Sequence, residues 1–228
     1  MTKVYAFLTT LLVTASIIAQ STFENVHAIL QSNCTIGCHS GATPAASLDL
    51  SASVQDVYNS LVSATPVNPA ANGEGLKLVE SGYPKRSFLF RKIAHDIDPF
   101  DYLTVPMGNA MPDGQPRMAY EDIELVRQWI LHGASDTATY VDPQLLSDYY
   151  NGQGAPRMAP LGEPFPSEGF QIHFGPFFLE PLTEAEYFYK YETQLPETIE
   201  VNRVQTLINE ESHHTAHYRY QPGADTIL

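Results

Sequence analysis

The chain contains two cysteines, and both fall in the stretch Asn33-Cys34-Thr35-Ile36-Gly37-Cys38-His39-Ser40. Two thiols followed directly by an imidazole can add across the two vinyl groups of a haem, leaving the adjacent His39 to bind the iron axially. The spacing is Cys-x-x-x-Cys-His, one residue longer than the usual Cys-x-x-Cys-His. A Cys34–Cys38 disulfide would close a very short loop, where geometry is strained and the entropic gain is smallest. A closed structural zinc site needs a fourth ligand, and no second Cys or His cluster lies nearby in sequence. The residues therefore point to covalent haem c on Cys34 and Cys38, with His39 as the proximal iron ligand.

A second chemical signal stands near the other end, in Glu211-Ser212-His213-His214-Thr215-Ala216-His217-Tyr218. Imidazoles are favoured ligands for copper and zinc. In a regular strand His213 and His217 share one face while His214 points to the other, so joint use of His213 and His214 requires a twist or bulge. Surface histidines that hold no metal are the competing reading of these residues.

The elements that must position the cysteines are helical. Ser21-Thr22-Phe23-Glu24 has the form of a capping box, and Phe23, Val26, Ile29 and Leu30 follow at helical spacing, so a helix runs into Cys34. Residues 120–132 repeat the pattern with Ile123, Val126, Trp129 and Ile130 on one face, Glu121 and Asp122 in the first turn, and Gly133 as C-terminal cap. Residues 84–93 predict a third helix with Phe88, Leu89 and Ile93 inward. Residues 41–75, rich in Ala, Ser, Pro and Asn, are expected to wrap the site as loop and short helix.

Beyond residue 140 the character changes. Pro143, Gly152, Gly154, Pro156, Pro160, Pro164 and Pro166 break any long element, so 141–168 is read as a linker with a short helix around 144–150. From Gly169 the period becomes two: Phe170, Ile172 and Phe174 alternate with Gln171 and His173. Further strands are expected at 187–191, 199–208 and 212–220. The expected fold is thus an all-α domain over 21–140, followed by an all-β sandwich, jelly-roll-like and incomplete, over 169–228.

The first twenty residues read as an export signal, with Lys3 as a positive start, an apolar stretch over 4–18 and a small residue, Ala19, before a cut near Gln20. The apolar run is short for a full span, so no stable membrane span is expected after cleavage. The formal net charge of −14 argues against nucleic acid and against anionic membrane surfaces, and suits a basic redox partner. No Gly-rich phosphate loop, nucleophile elbow or clustered basic patch is present.

The helix, the cysteines with their His, a Met-bearing loop and a terminal helix together resemble class I cytochrome c, over about half the chain. The resemblance implies an exported protein, periplasmic or extracellular, because covalent haem attachment takes place outside the bacterial cytoplasm. It also implies a distal thioether shortly before the last helix. Val105-Pro106-Met107-Gly108-Asn109-Ala110-Met111-Pro112 supplies two candidates, and a Met-Pro pair in that place favours Met111 over Met107. His95 is a further candidate. Thioether ligation would raise the potential, and a His would lower it.

Gly169-Phe170-Gln171-Ile172-His173-Phe174-Gly175-Pro176-Phe177, the aromatic run 187–191 and the His213-His214 pair resemble the start of the copper type II, ascorbate-dependent monooxygenases, the peptidylglycine and dopamine hydroxylating family. That resemblance implies copper at His213 and His214. The third ligand and the catalytic-copper domain have no counterpart here, so the chain is expected to be a fragment or to need a partner. Three functions follow as expectations. The first is a haem c module passing electrons, from a redox protein or small reductant, to a copper monooxygenase that hydroxylates an organic substrate with O2. The second is a pure electron carrier with a β-rich docking module and no copper. The third is a haem sensor whose distal Met is displaced by a gas. Metal content separates the first two, and carbon monoxide binding tests the third.

Overall fold

The computed structural model describes residues 20–97, 101–153, 161–162, 164–165, 167–172, 175–179, 182–187, 200–208 and 215–217. Among them the chain forms six α-helices: α1 (Thr22–Cys34), α2 (Val54–Leu61), α3 (Pro69–Gly73), α4 (Phe88–Ile93), α5 (Tyr120–Leu131) and α6 (Pro143–Tyr150). Short 3-10 turns cover Ala45–Ser47, Pro84–Arg86 and Val105–Met107.

α1 starts where the chain supplies a cap. The Ser21 backbone N–H donates to Glu24 Oε2 at 2.7 Å, and the Glu24 backbone N–H donates to Ser21 Oγ at 3.2 Å, so two otherwise orphaned donors are satisfied reciprocally. Its inner face is Phe23, Val26, His27, Leu30 and Cys34, all buried. Ser53, Asn68 and Asp142 cap α2, α3 and α6 one way only, each side-chain oxygen accepting a first-turn backbone N–H. The apolar stripe of α5 packs against α1 and α6. At the crossing, the Phe23 ring lies 4.9 Å from Trp129 and meets Tyr58 edge-on at 5.2 Å. Both Phe23 and Trp129 are fully buried. Burial of each large side chain contributes about 1.5–3 kcal/mol, with about 0.5–1.5 more for a well-placed aromatic pair.

The chain after α5 returns to the start of α1. Trp129 Nε1 donates to the Ser135 carbonyl at 2.9 Å, the Thr22 N–H donates to the Ala138 carbonyl at 3.0 Å, and the Tyr140 N–H donates to Thr22 Oγ1 at 2.8 Å. Val141 and Leu146, at the head of the stretch read as a linker, belong to the main core. A second, smaller core gathers Ala71, Leu76, Phe88 and Met107.

Two expectations are corrected. The region 84–93 is not one helix: a 3-10 turn over Pro84–Arg86 precedes α4, and Phe90 and Arg91 are buried where Leu89 is only half-buried. The larger correction concerns the β-sandwich expected over 169–228: the described residues there contain no strand and form no sheet. Residues 200–208 and 215–217 are exposed throughout, with Val201 61 % and Val204 67 % accessible. An alternating apolar pattern becomes a strand only where a neighbour completes the backbone ladder and a second layer covers the apolar face. Here neither is supplied among the described residues. Phe177, Phe178 and Tyr187 instead bring aromatic contacts to the helical domain: Phe178 meets Tyr149 at 5.4 Å, and Tyr187, stacked on Phe177 at 4.1 Å, meets the His132 ring at 5.5 Å. His213, His214 and most of the expected strand over 212–220 lie outside the described residues, as do residues 1–19 of the export signal. No helix among the described residues is long and apolar enough to cross a membrane.

Candidate functional site

Cys34 is the last residue of α1, so the helix that packs against Trp129 also fixes the first thiol. Beyond it the chain turns sharply back. The Cys38 N–H donates to the Thr35 carbonyl at 3.2 Å and the His39 N–H to the Cys34 carbonyl at 3.1 Å, while Ser40 Oγ donates to the Thr35 carbonyl at 2.8 Å. Gly37 stands in this turn at φ +74, a left-handed conformation that its missing Cβ makes inexpensive. The additional residue between the cysteines is therefore absorbed at a glycine.

The two thiols are free and differ in environment, Cys34 being buried and Cys38 exposed. Burial, and secondarily the charge of Cys38, pushes the Cys34 thiol up to about 11. Among the described residues no three His, Cys, Asp or Glu side chains converge as a metal cluster, so the Cys34, Cys38 and His39 side chains are not gathered as in a zinc site.

His39 is pinned at two points. Its Nδ1 lies 3.2 Å from the Leu48 carbonyl oxygen, and its own carbonyl accepts the Leu50 N–H at 2.8 Å. A carbonyl can only accept, so this hydrogen bond puts the proton on Nδ1 and leaves the Nε2 lone pair for a metal. Ligating histidines are oriented in this way by a partner on the other ring nitrogen. A thiol at a helix end, a second thiol at the surface and an imidazole held in the ligating tautomer fit the requirements of covalent haem. Cys34 and Cys38 would hold the macrocycle and His39 the iron.

The methionines separate by environment. Met107 is fully buried in the smaller core, and its Sδ lies 3.8 Å from Arg91 Nη1. Arg91 itself is bound to the Lys85 carbonyl at 2.7 Å and to Glu74 at 2.9 Å, so the Met107 sulfur is engaged in a packed, charged surround. Met111 is half-buried and packs on the main core, the same cluster that Leu48 borders from the His39 side. Its N–H donates to the Lys92 carbonyl at 2.8 Å. Met118, which the sequence pattern did not single out, is buried in the main core two residues ahead of α5. His95 Nδ1 is 2.9 Å from Asp96 Oδ2, paired with its own neighbour. His27 is a core histidine whose Nε2 lies 3.2 Å from the Ala52 carbonyl. His217 is exposed beside Thr206 Oγ1 at 3.2 Å.

One cluster was not legible in the sequence. Glu124 and Arg127 of α5 form an ion pair at 2.7 Å with side chains only 3 % and 5 % exposed. Gln128 Nε2 donates to Glu124 Oε1 at 2.6 Å, and Arg127 and Gln128 both donate to the Pro176 carbonyl, at 2.5 and 2.9 Å. Gln128 Oε1 and His132 Nε2 are buried without a hydrogen-bond partner among the described residues. The signal available was Pro176 itself, whose carbonyl needs donors once it is covered.

Comparison of the chain with protein-family models, with curated proteins and with solved structures returned no match.

Proposed function

We propose that the helical domain is an exported haem c electron-transfer module, with the macrocycle on Cys34 and Cys38, His39 as proximal ligand and Met111 as distal ligand. The observation that carries this reading is the His39 ring, whose Nδ1 is turned to the Leu48 carbonyl one residue after the second thiol. A bound haem with both axial positions filled supplies one-electron chemistry and no open coordination site. The protein's part is to orient the imidazole through Leu48, to fix the first thioether at the end of α1, and to exclude water with the core around Trp129. Because Cys38 is exposed, the second thioether would lie at the surface, where a redox partner or small reductant can approach.

Electron carriage does not require copper, and a copper-to-iron ratio on the full chain separates a pure carrier from one that feeds a copper centre at His213 and His214. The test of the haem reading is the reduced pyridine haemochrome spectrum of protein secreted from a host with haem-attachment machinery. A spectrum of the two-thioether type is expected. Haem that is extracted by acidified solvent refutes covalent attachment, and a reduced spectrum altered by carbon monoxide would favour the gas-sensor reading instead.

A further inference from the structure

The loop that bears Met107 and Met111 meets Lys92 through both its ammonium and its carbonyl. Lys92, on α4, donates from Nζ to the Met107 carbonyl at 2.7 Å and to the Asn109 carbonyl at 2.7 Å. Its own carbonyl accepts the Met111 N–H at 2.8 Å. The residue beside it, Arg91, reaches the Met107 sulfur at 3.8 Å. From the other side Asn68 Nδ2 donates to the Met107 carbonyl at 3.3 Å. Gly108 turns between these points at φ +80, and a Cβ there would stand 3.5 Å from the ammonium. The ammonium also lies 5.2 Å from the Phe88 ring, a cation–π contact that helps hold it in place.

We propose that Lys92 is a positioning residue for the iron's sulfur ligand: it clamps residues 107–111 so that Met107 stays as the loop's anchor and Met111 is the thioether left available. The inference rests on Met111 being the distal ligand. It goes further in assigning the choice between two methionines to a pair of adjacent cations, Arg91 on the sulfur to be excluded and Lys92 on the backbone that carries the other. Charge-assisted hydrogen bonds to two carbonyls from one ammonium make the loop conformation depend on that side chain more than on any single apolar contact.

The test uses oxidised holo-protein, where the thioether–iron charge-transfer absorption reports Met ligation and added imidazole competes for the same position. Met111→Leu should abolish that absorption; if it persists, both the ligand reading and this inference fail. With that control passed, Lys92→Met is expected to weaken the absorption and to tighten imidazole binding by about ten- to a hundredfold, the factor that corresponds to one lost charge-assisted hydrogen bond. Lys92→Arg, which keeps a forked cationic donor, should recover most of the wild-type behaviour. Imidazole affinity of Lys92→Met within about twofold of wild type, well inside the effect of one hydrogen bond, would overturn the role of Lys92 while leaving Met111 as ligand. If Lys92→Met fails to fold, the wild-type protein still decides: the Met111 amide should be protected from hydrogen exchange by its bond to the Lys92 carbonyl, and exchange at the open-chain rate overturns the clamp.

Discussion

Glu124→Ala should be among the most damaging single changes in the helical domain, although nothing at that position touches the cysteines. The carboxylate accepts from Arg127 Nε at 2.9 Å and Nη2 at 2.7 Å and from Gln128 at 2.6 Å, with the Tyr150 hydroxyl at 3.4 Å. Removing it takes from the buried Arg127 guanidinium the carboxylate that it meets at 2.7 Å. Breaking a buried pair by deleting one partner costs about 3–5 kcal/mol, a large part of a typical stability of about 5–15 kcal/mol. At about 4 °C per kcal/mol for a domain of this size, the midpoint should fall by about 10–20 °C. The assay is thermal and urea unfolding of the holo-protein followed by far-ultraviolet circular dichroism. Replacing both partners, as in Glu124→Leu with Arg127→Met, should recover part of the loss, because the charge that Glu124 balanced is then removed with it. The reasoning is refuted if Glu124→Ala lies within about 0.5 kcal/mol of wild type, or if the double variant shows the plain sum of the two single losses.

Phe23→Ala should cost about 3–5 kcal/mol by opening a cavity beside Trp129 and Tyr58, measured by the same urea titration. His132 is held below its ordinary value, by burial first and by the Arg127 guanidinium second. The unfolded chain therefore takes up a proton before the folded one does, so stability is full above the ordinary value of 6.5 and is lost as pH falls through it toward the depressed folded value. Urea midpoints at about pH 7.5 and pH 5.5 should differ in that direction in wild type and by less in His132→Gln. In protein made without haem, iodoacetamide should modify exposed Cys38 well before Cys34. A thiol at about 11 is only about one part in a thousand thiolate at pH 8, and mass mapping of the two peptides at early times reads the order.

The parts of this molecule that were legible in the sequence are those whose cause is local. Ser21 and Glu24 form a capping box within one turn of chain, and the stripe from Phe23 to Leu30 needs only the helical repeat to be seen. The turn carrying Cys34, Cys38 and His39 is likewise contained in a few residues. The different surroundings of Met107 and Met111 were not legible, because Arg91 and Lys92 reach that loop from α4. The buried cluster of Glu124, Arg127 and Gln128 left no local sign because its partner, the Pro176 carbonyl, lies far along the chain. The β-sandwich failed for a related reason. Alternation at Phe170 and Ile172 reports which residues are apolar and not which neighbour would pair with them, and both side chains remain more than 40 % exposed.

The most direct test of the account is the intact mass of the secreted chain, followed by sequencing of the peptide that spans residues 33–40. The account predicts the mass of one added haem, no alkylatable thiol, and a macrocycle retained on both Cys34 and Cys38 after denaturation. A chain of unmodified mass, with the two sulfurs free or joined to each other, would contradict it.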